Sequence, residues 1–195
     1  MSEPSRPERY GVLAQVLHWT TAVLVVVAFS YGPGGSEQRV YSAAKDFDRQ
    51  LHETLGFAIL ALSVARVLWR LVDVRPGPPS VPRSMELAAK AVQALLYALL
   101  FALPLTSVAG AWLEGHPLTL LAGVRIDPWI GPSHDLGHAL ATVHGWLGDA
   151  ILWLAGFHAA AAIYHHAVLR DGVLLSMLPA GWLASRRKDG YNPGR

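Results

Sequence analysis

With 195 residues, 52% of them hydrophobic, 15% charged and a mean hydropathy of +0.31, the chain is too apolar for an ordinary soluble domain of its size. A net charge of +2, with basic residues that follow the breaks between apolar segments instead of clustering, excludes a nucleic-acid partner. The absence of cysteine excludes disulfides, thiolate-held clusters and thioether attachment of a prosthetic group.

Four apolar segments follow in chain order, about 11–32, 51–72, 87–113 and 139–169. Each meets the roughly 20 residues needed to cross the hydrocarbon core. They predict an all-α integral membrane protein, a four-helix bundle in lipid, organised as a single domain over 1–195 with a mobile polar tail over 184–195. The first segment is too long for the apolar run of a signal peptide, and Ser30-Tyr31-Gly32-Pro33 is a poor cleavage site. Gly32-Pro33-Gly34-Gly35 ends it. His52 opens the second segment, with Gly56 one turn on and Arg66 toward its far end. The connection over 75–82 holds four prolines and a glycine and is a turn. Pro104 lies inside the third segment and is expected to kink it. The loop over 114–138, with Pro128-Trp129-Ile130, is apolar enough to lie in the outer interface as a lid.

Twelve of the sixteen basic residues lie in the N-terminal tail, around the join between the second and third segments, or after the fourth. The other four are Arg39, Lys45, Arg49 and Arg125. By the positive-inside rule both termini are cytoplasmic and the two longer loops face outward.

An ionisable ring inside lipid costs free energy and therefore marks a function. His18, His52, His144 and His158 each lie inside or at the mouth of an apolar segment. His144 and His158 are fourteen residues apart, which returns them to within about 40° of one helix face, roughly 21 Å apart along the axis. With the orientation above, His52 and His144 share the outer level and His18 and His158 the inner one. Two bis-histidine metal centres at different depths follow, the arrangement that two stacked haems need. Neutral imidazoles suit haem iron, and ligation from both sides leaves oxygen no open position. A single membrane histidine is otherwise an interhelical hydrogen-bond donor. Gly56, Gly145, Gly148 and Gly156 would let a flat macrocycle approach the backbone, or serve close helix packing. Trp19 and Trp146 are taken as packing or interface anchors. Arg66 follows His52 by fourteen residues and shares its face at the inner level, where it would meet a propionate or a quinone head group, or snorkel to the surface.

The remaining histidines carry less. His165 is on nearly the face of His158 and would meet a propionate or protons; His165 and His166 are otherwise surface residues. His134 and His138 have an i, i+4 spacing that can bind zinc, but without the glutamate of HExxH and with only His116 nearby they are expected to be solvated loop residues.

The segments RYGVLAQVLHWTTA (9–22), LHETLGFAILALSVARVLWRL (51–71) followed by Pro76-Gly77-Pro78-Pro79, and GFHAAAAIYHHAVLRDGVLLSML (156–178) resemble the prokaryotic cytochrome b561 family over about 9–179. The resemblance implies a four-helix inner-membrane protein holding two b-type haems and exchanging electrons with the quinone pool, and one branch of the family oxidises superoxide and reduces ubiquinone. By position it implies His18, His52, His144 and His158 as haem ligands and Arg66 as a propionate or quinone-site partner. The expected activity is electron transfer between a periplasmic donor, with superoxide a candidate, and ubiquinone. In that scheme the outward cations Arg39, Lys45, Arg49 and Arg125 would steer a small anion toward His52, against the acids of the same loops. Two other classes stay open: a haem b anchor subunit serving a soluble dehydrogenase or hydrogenase, and a transporter with histidine relays.

Overall fold

The computed structural model describes residues 9–73 and 81–178. Four long helices dominate. α1 (Val12–Tyr31) carries no charged residue and stops where Gly32 turns its amide to the Phe29 carbonyl, 3.2 Å away. A single helical turn, α2 (Glu37–Val40), and a 3-10 turn (Ala43–Lys45) lead into α3 (Asp46–Val72). α3 begins five residues before the apolar pattern does. Asp46 and Asp48 favour its positive N-terminal end, and Lys45–Asp48, Arg49–Asp46 and Arg49–Glu53 ion pairs bind its first turns. His52 therefore sits in the second turn and not at the mouth of the helix.

α4 (Arg83–Leu113) stays helical through Pro104, and Thr106 Oγ1, two residues beyond it, donates to the Ala102 carbonyl at 2.8 Å. Most of the proline-rich connection expected over 75–82, and the tail expected over 184–195, lie outside the described residues. After α4 the connecting loop forms a two-stranded antiparallel ribbon, β1 (Leu118–Thr119) with β2 (Arg125–Ile126). α5 (His134–Tyr164) starts five residues earlier than the hydrophobic pattern, so His134 and His138 lie on a helix and not in a loop. Gly137 explains how its start can lie against the end of α4. A Cβ there would stand 2.9 Å from the Glu114 backbone nitrogen, closer than real side chains come. α5 ends in a π-helical turn (His165–Leu169), followed by α6 (Val173–Ser176).

α1 packs along α3, α4 packs along α5, and α3 meets α4. The buried core takes one residue from each long helix: Ala28, Ile59, Leu100 and Ile151. Outward apolar residues such as Leu68, Leu105, Trp153 and Phe157 remain exposed, as helices facing lipid require. Four spans bring the first and last described segments to one end of the bundle, and hydrogen bonds join them there. The Tyr10 amide and Gln15 Nε2 donate to the Ser176 carbonyl, at 3.1 and 3.3 Å, and Trp19 Nε1 donates to Met177 at 2.8 Å. Both Trp19 and Trp146 are exposed, and Trp19 is anchored by this hydrogen bond. The end holding α1's start and α6 is called the terminal end below, and the opposite one the loop end.

Candidate functional site

The four intramembrane histidines come together in the two pairs that depth along the chain suggests. At the loop end the rings of His52 and His144 have centroids 5.9 Å apart; toward the terminal end those of His18 and His158 are 6.5 Å apart. Each pair takes one histidine from the α1–α3 half of the bundle and one from the α4–α5 half. Two imidazoles bonded from opposite sides to one metal, at about 2.0 Å from each nitrogen and about 1.1 Å more to each ring centre, have centroids about 6 Å apart. Both pairs stand at that separation.

Local backbone chemistry orients the loop-end pair. Because the Gly32 amide goes to Phe29, the Ala28 carbonyl that a continuing helix would spend on it is open, and His52 Nδ1 donates to it at 2.7 Å. His144 Nδ1 donates to the Leu103 carbonyl at 2.9 Å. With Nδ1 committed to a carbonyl, Nε2 of each ring carries the lone pair, which is how metal-binding histidines are held. Between the helices lies an open cleft lined by His52, His144, Gly56, Gly148, Pro104 and Leu118 among others, its walls almost wholly apolar apart from the two rings and Glu53. A Cβ at Gly56, Gly145, Gly148 or Gly156 would meet nothing within 4 Å, so these glycines border open space and not a packed neighbour.

The terminal-end pair differs. Arg66 Nη2 donates to His18 Nδ1 at 3.2 Å, and the guanidinium lies 5.4 Å from the centre of the Tyr97 ring, which Arg70 also approaches. Arginine has no acceptor, so this contact puts the His18 proton on Nε2. For Nε2 to face a metal, Arg66 must give up Nδ1, which its long side chain can do when an anion draws it aside. The donor set and the gap therefore fit haem at both pairs, with this one rearrangement at His18. Arg66 does stand at the level of the His18–His158 pair, as its spacing from His52 predicts, and it does not snorkel to the surface.

The four cations expected to steer an anion correct an expectation. Arg49 is only 9% exposed and is held by Asp46 and by Glu53 at 3.0 Å, with its guanidinium over Tyr41. Lys45 pairs with Asp48 at 2.7 Å and Arg125 with Asp127 at 2.8 Å. Of the four residues expected to steer an anion, only Arg39 forms no ion pair among the described residues. Local carboxylates cancel the rest, so the steering field largely disappears.

The loop between α4 and α5 does cover the site. Leu118 is 2% exposed and lines the cavity. The Thr119 amide donates to Glu53 Oε2 at 2.5 Å and the Leu121 amide to Thr54 Oγ1 at 3.0 Å, so the ribbon is fastened to the residues that directly follow His52. His116 donates from Nε2 to Glu37 at 2.6 Å and stacks on Tyr41, joining the α1–α3 and α4–α5 connections. Burial, reinforced by the charge of Glu53 and opposed by Arg49, pushes the Tyr41 hydroxyl up to about 12, so that it stays a neutral ring in this stack. His134 and His138 are exposed, His134 lying 3.7 Å from Glu114, and no group of three metal-binding side chains occurs among the described residues. His166 is exposed, whereas His165 is bonded to Asp171. Tyr97 and Asp171 carry no advance signal, since what places them is packing between helices and a chain reversal.

The model of the prokaryotic cytochrome b561 family matches residues 9–180. The chain is 30% identical to cytochrome b561 homolog 2 of Escherichia coli (strain K12), covering 91% of this chain and 95% of that protein. It is 30% identical to the probable superoxide oxidase CybB of Yersinia pestis (88% and 97%) and 30% identical to cytochrome b562 of Cereibacter sphaeroides (87% and 94%). Four membrane-spanning helices, facing histidines and a family match over nearly the whole described chain agree, and the protein belongs to the prokaryotic cytochrome b561 family, multi-pass haem b proteins of membrane electron transport.

Proposed function

We propose that the protein is a di-haem cytochrome of the inner membrane that passes electrons from a donor at the loop end, facing the periplasm, to ubiquinone, with His18, His52, His144 and His158 as the axial ligands. The observation that carries this is the pair of facing imidazole couples, each spanning the two halves of the bundle at about 6 Å. Haem b, when bound, supplies one-electron chemistry through its iron. The chain's own part is orientation and exclusion. The carbonyls of Ala28 and Leu103 hold the loop-end rings with Nε2 turned to the metal position, and histidine on both faces denies oxygen a coordination site. Arg66 would release His18 for a propionate or the quinone head group.

Superoxide is the donor we favour, supported by the likeness to the probable superoxide oxidase of Yersinia pestis. Each superoxide would give up one electron and leave as dioxygen, and two such electrons with two protons convert ubiquinone to ubiquinol. The charge bias of the sequence supports a cytoplasmic terminal end. A reduced-minus-oxidised visible spectrum with a haem-to-protein ratio tests the core of the proposal: two haems per chain are expected, and a ratio of one overturns it. Rapid mixing of the oxidised protein with superoxide tests the donor; absence of haem reduction, together with ready reduction by quinol, rejects superoxide.

A further inference from the structure

The ribbon over the loop-end cleft rests on a small set of fastenings. Two strands of two residues each are too short to stand alone in water, so their position is set by what they touch. β1 lies against α3 and α4, and β2 packs on β1. Leu118 is almost wholly buried and completes the wall of the cleft that holds His52 and His144. The two residues that follow His52 catch the ribbon backbone. Glu53 Oε2 accepts from the Thr119 amide and Thr54 Oγ1 from the Leu121 amide, at 2.5 and 3.0 Å. Glu53 is itself held in place, because its other oxygen accepts from Arg49 at 3.0 Å.

The rest of the ribbon is built to move. Leu121, Gly123, Val124 and Arg125, at and beside its turn, are exposed. The base of the loop is clamped to the end of α4, where the His116 amide donates to the Ala111 carbonyl at 2.9 Å and the Ser133 amide to Leu113 at 2.8 Å. Between those clamps the chain is held to the bundle by Leu118, by the two amide bonds and by Trp129 against Trp112. Loss of a few such contacts opens a segment locally while the helices stay folded.

We propose that the ribbon is a strap over the loop-end haem, lifting when haem enters or leaves the cleft and, when closed, retaining it through Leu118 and the Glu53 and Thr54 bonds. This rests on the two-haem function proposed above. The fastenings adjoin His52, roughly 21 Å along the bundle from the level of His158, so the strap acts on the loop-end haem alone. When haem leaves, the iron bonds to Nε2 of His52 and His144 break with no change of oxidation state, and a histidine of the acceptor protein takes the iron.

The test mixes oxidised, haem-loaded protein in detergent with excess apomyoglobin and follows haem transfer in the visible spectrum. The loop-end component is the one missing from His144→Ala. Thr54→Val removes the acceptor for Leu121 at a residue outside the cleft wall, and should speed loss of that component about fivefold. Leu118→Ala should speed it about 30-fold. Loss of the terminal-end component should be unchanged in both. Amide exchange at Thr119 should quicken in step with loop-end haem loss, which ties that loss to opening of the ribbon. If Leu118→Ala does not load haem, Thr54→Val decides. Loop-end loss that is unchanged in the variants, whether or not Thr119 exchanges faster, overturns the proposal, as does equal acceleration of both components. Unmodified protein that lacks a loop-end component defeats the two-haem function and the strap with it, whereas two components that leave at unaltered rates in the variants defeat the strap alone.

Discussion

Replacing His144 by alanine isolates the loop-end pair. The change removes one of two rings 5.9 Å apart and the bond from Nδ1 to the Leu103 carbonyl. Interhelical hydrogen bonds in membranes contribute about 0.6 kcal/mol on average and about 1.7 at most. That loss is small beside the contact of α4 with α5, which includes the close approach at Gly137 and Gly110, so the bundle should stand. If the pair holds haem as proposed, the lost ligand is the larger effect, because His52 alone would hold the iron from one side. Haem content should fall from two to one per chain in both His144→Ala and His52→Ala. The remaining centre should be the one lost in His18→Ala and His158→Ala, about 21 Å away along α5. Haem quantification, low-temperature difference spectra and circular dichroism on the four purified variants are the assay. If His52→Ala and His158→Ala removed the same spectral component from folded protein, the pairing would be wrong.

Gly137→Val should drive the Glu114 backbone and α5 apart, lowering stability by about 1–3 kcal/mol; an unchanged Tm of the detergent-solubilised protein would contradict the close approach. Because Lys45, Arg49 and Arg125 are paired with carboxylates, haem reduction by superoxide should vary less than about threefold between low and high ionic strength, against the 10-fold or greater effect of a steering field; a steep salt dependence would restore steering. Arg49→Glu would disrupt a buried network and is no test of steering. The folded-state depression of Asp171 implies stabilisation of the α5–α6 turn that is complete above the unfolded carboxylate value of about 3.9 and lost as pH falls through the lower folded value. Amide exchange at Val173, compared with Asp171→Asn, should show this protection vanishing only in acid. A reporter fused after Arg195 should be active only in the cytoplasm and one inserted at Gly131 only in the periplasm; the reverse would exchange the roles of the two ends.

The sequence by itself determined the class, the four spans and the pairing of histidines. Each of these depends on quantities that run along one chain: apolar length against bilayer thickness, a period of 3.6 residues, and alternation of direction from span to span. The starts of α3 and α5 were less legible because helices project past the hydrocarbon, where Asp46 and Asp48 in the first turn of α3 and Asp135 in that of α5 favour the positive helix end, which hydropathy does not register. Only the tertiary structure decided which atoms meet. Arg66 reaches His18 because α1 lies along α3, and Ala28 and Leu103 supply carbonyls to histidines 24 and 41 residues away. It likewise showed that Arg49 is buried between two carboxylates, and that left-handed Arg170 folds Asp171 back onto His165. Such contacts depend on the direction of side chains across helix interfaces and on backbone reversals, and neither is encoded in the spacing of residues along one segment.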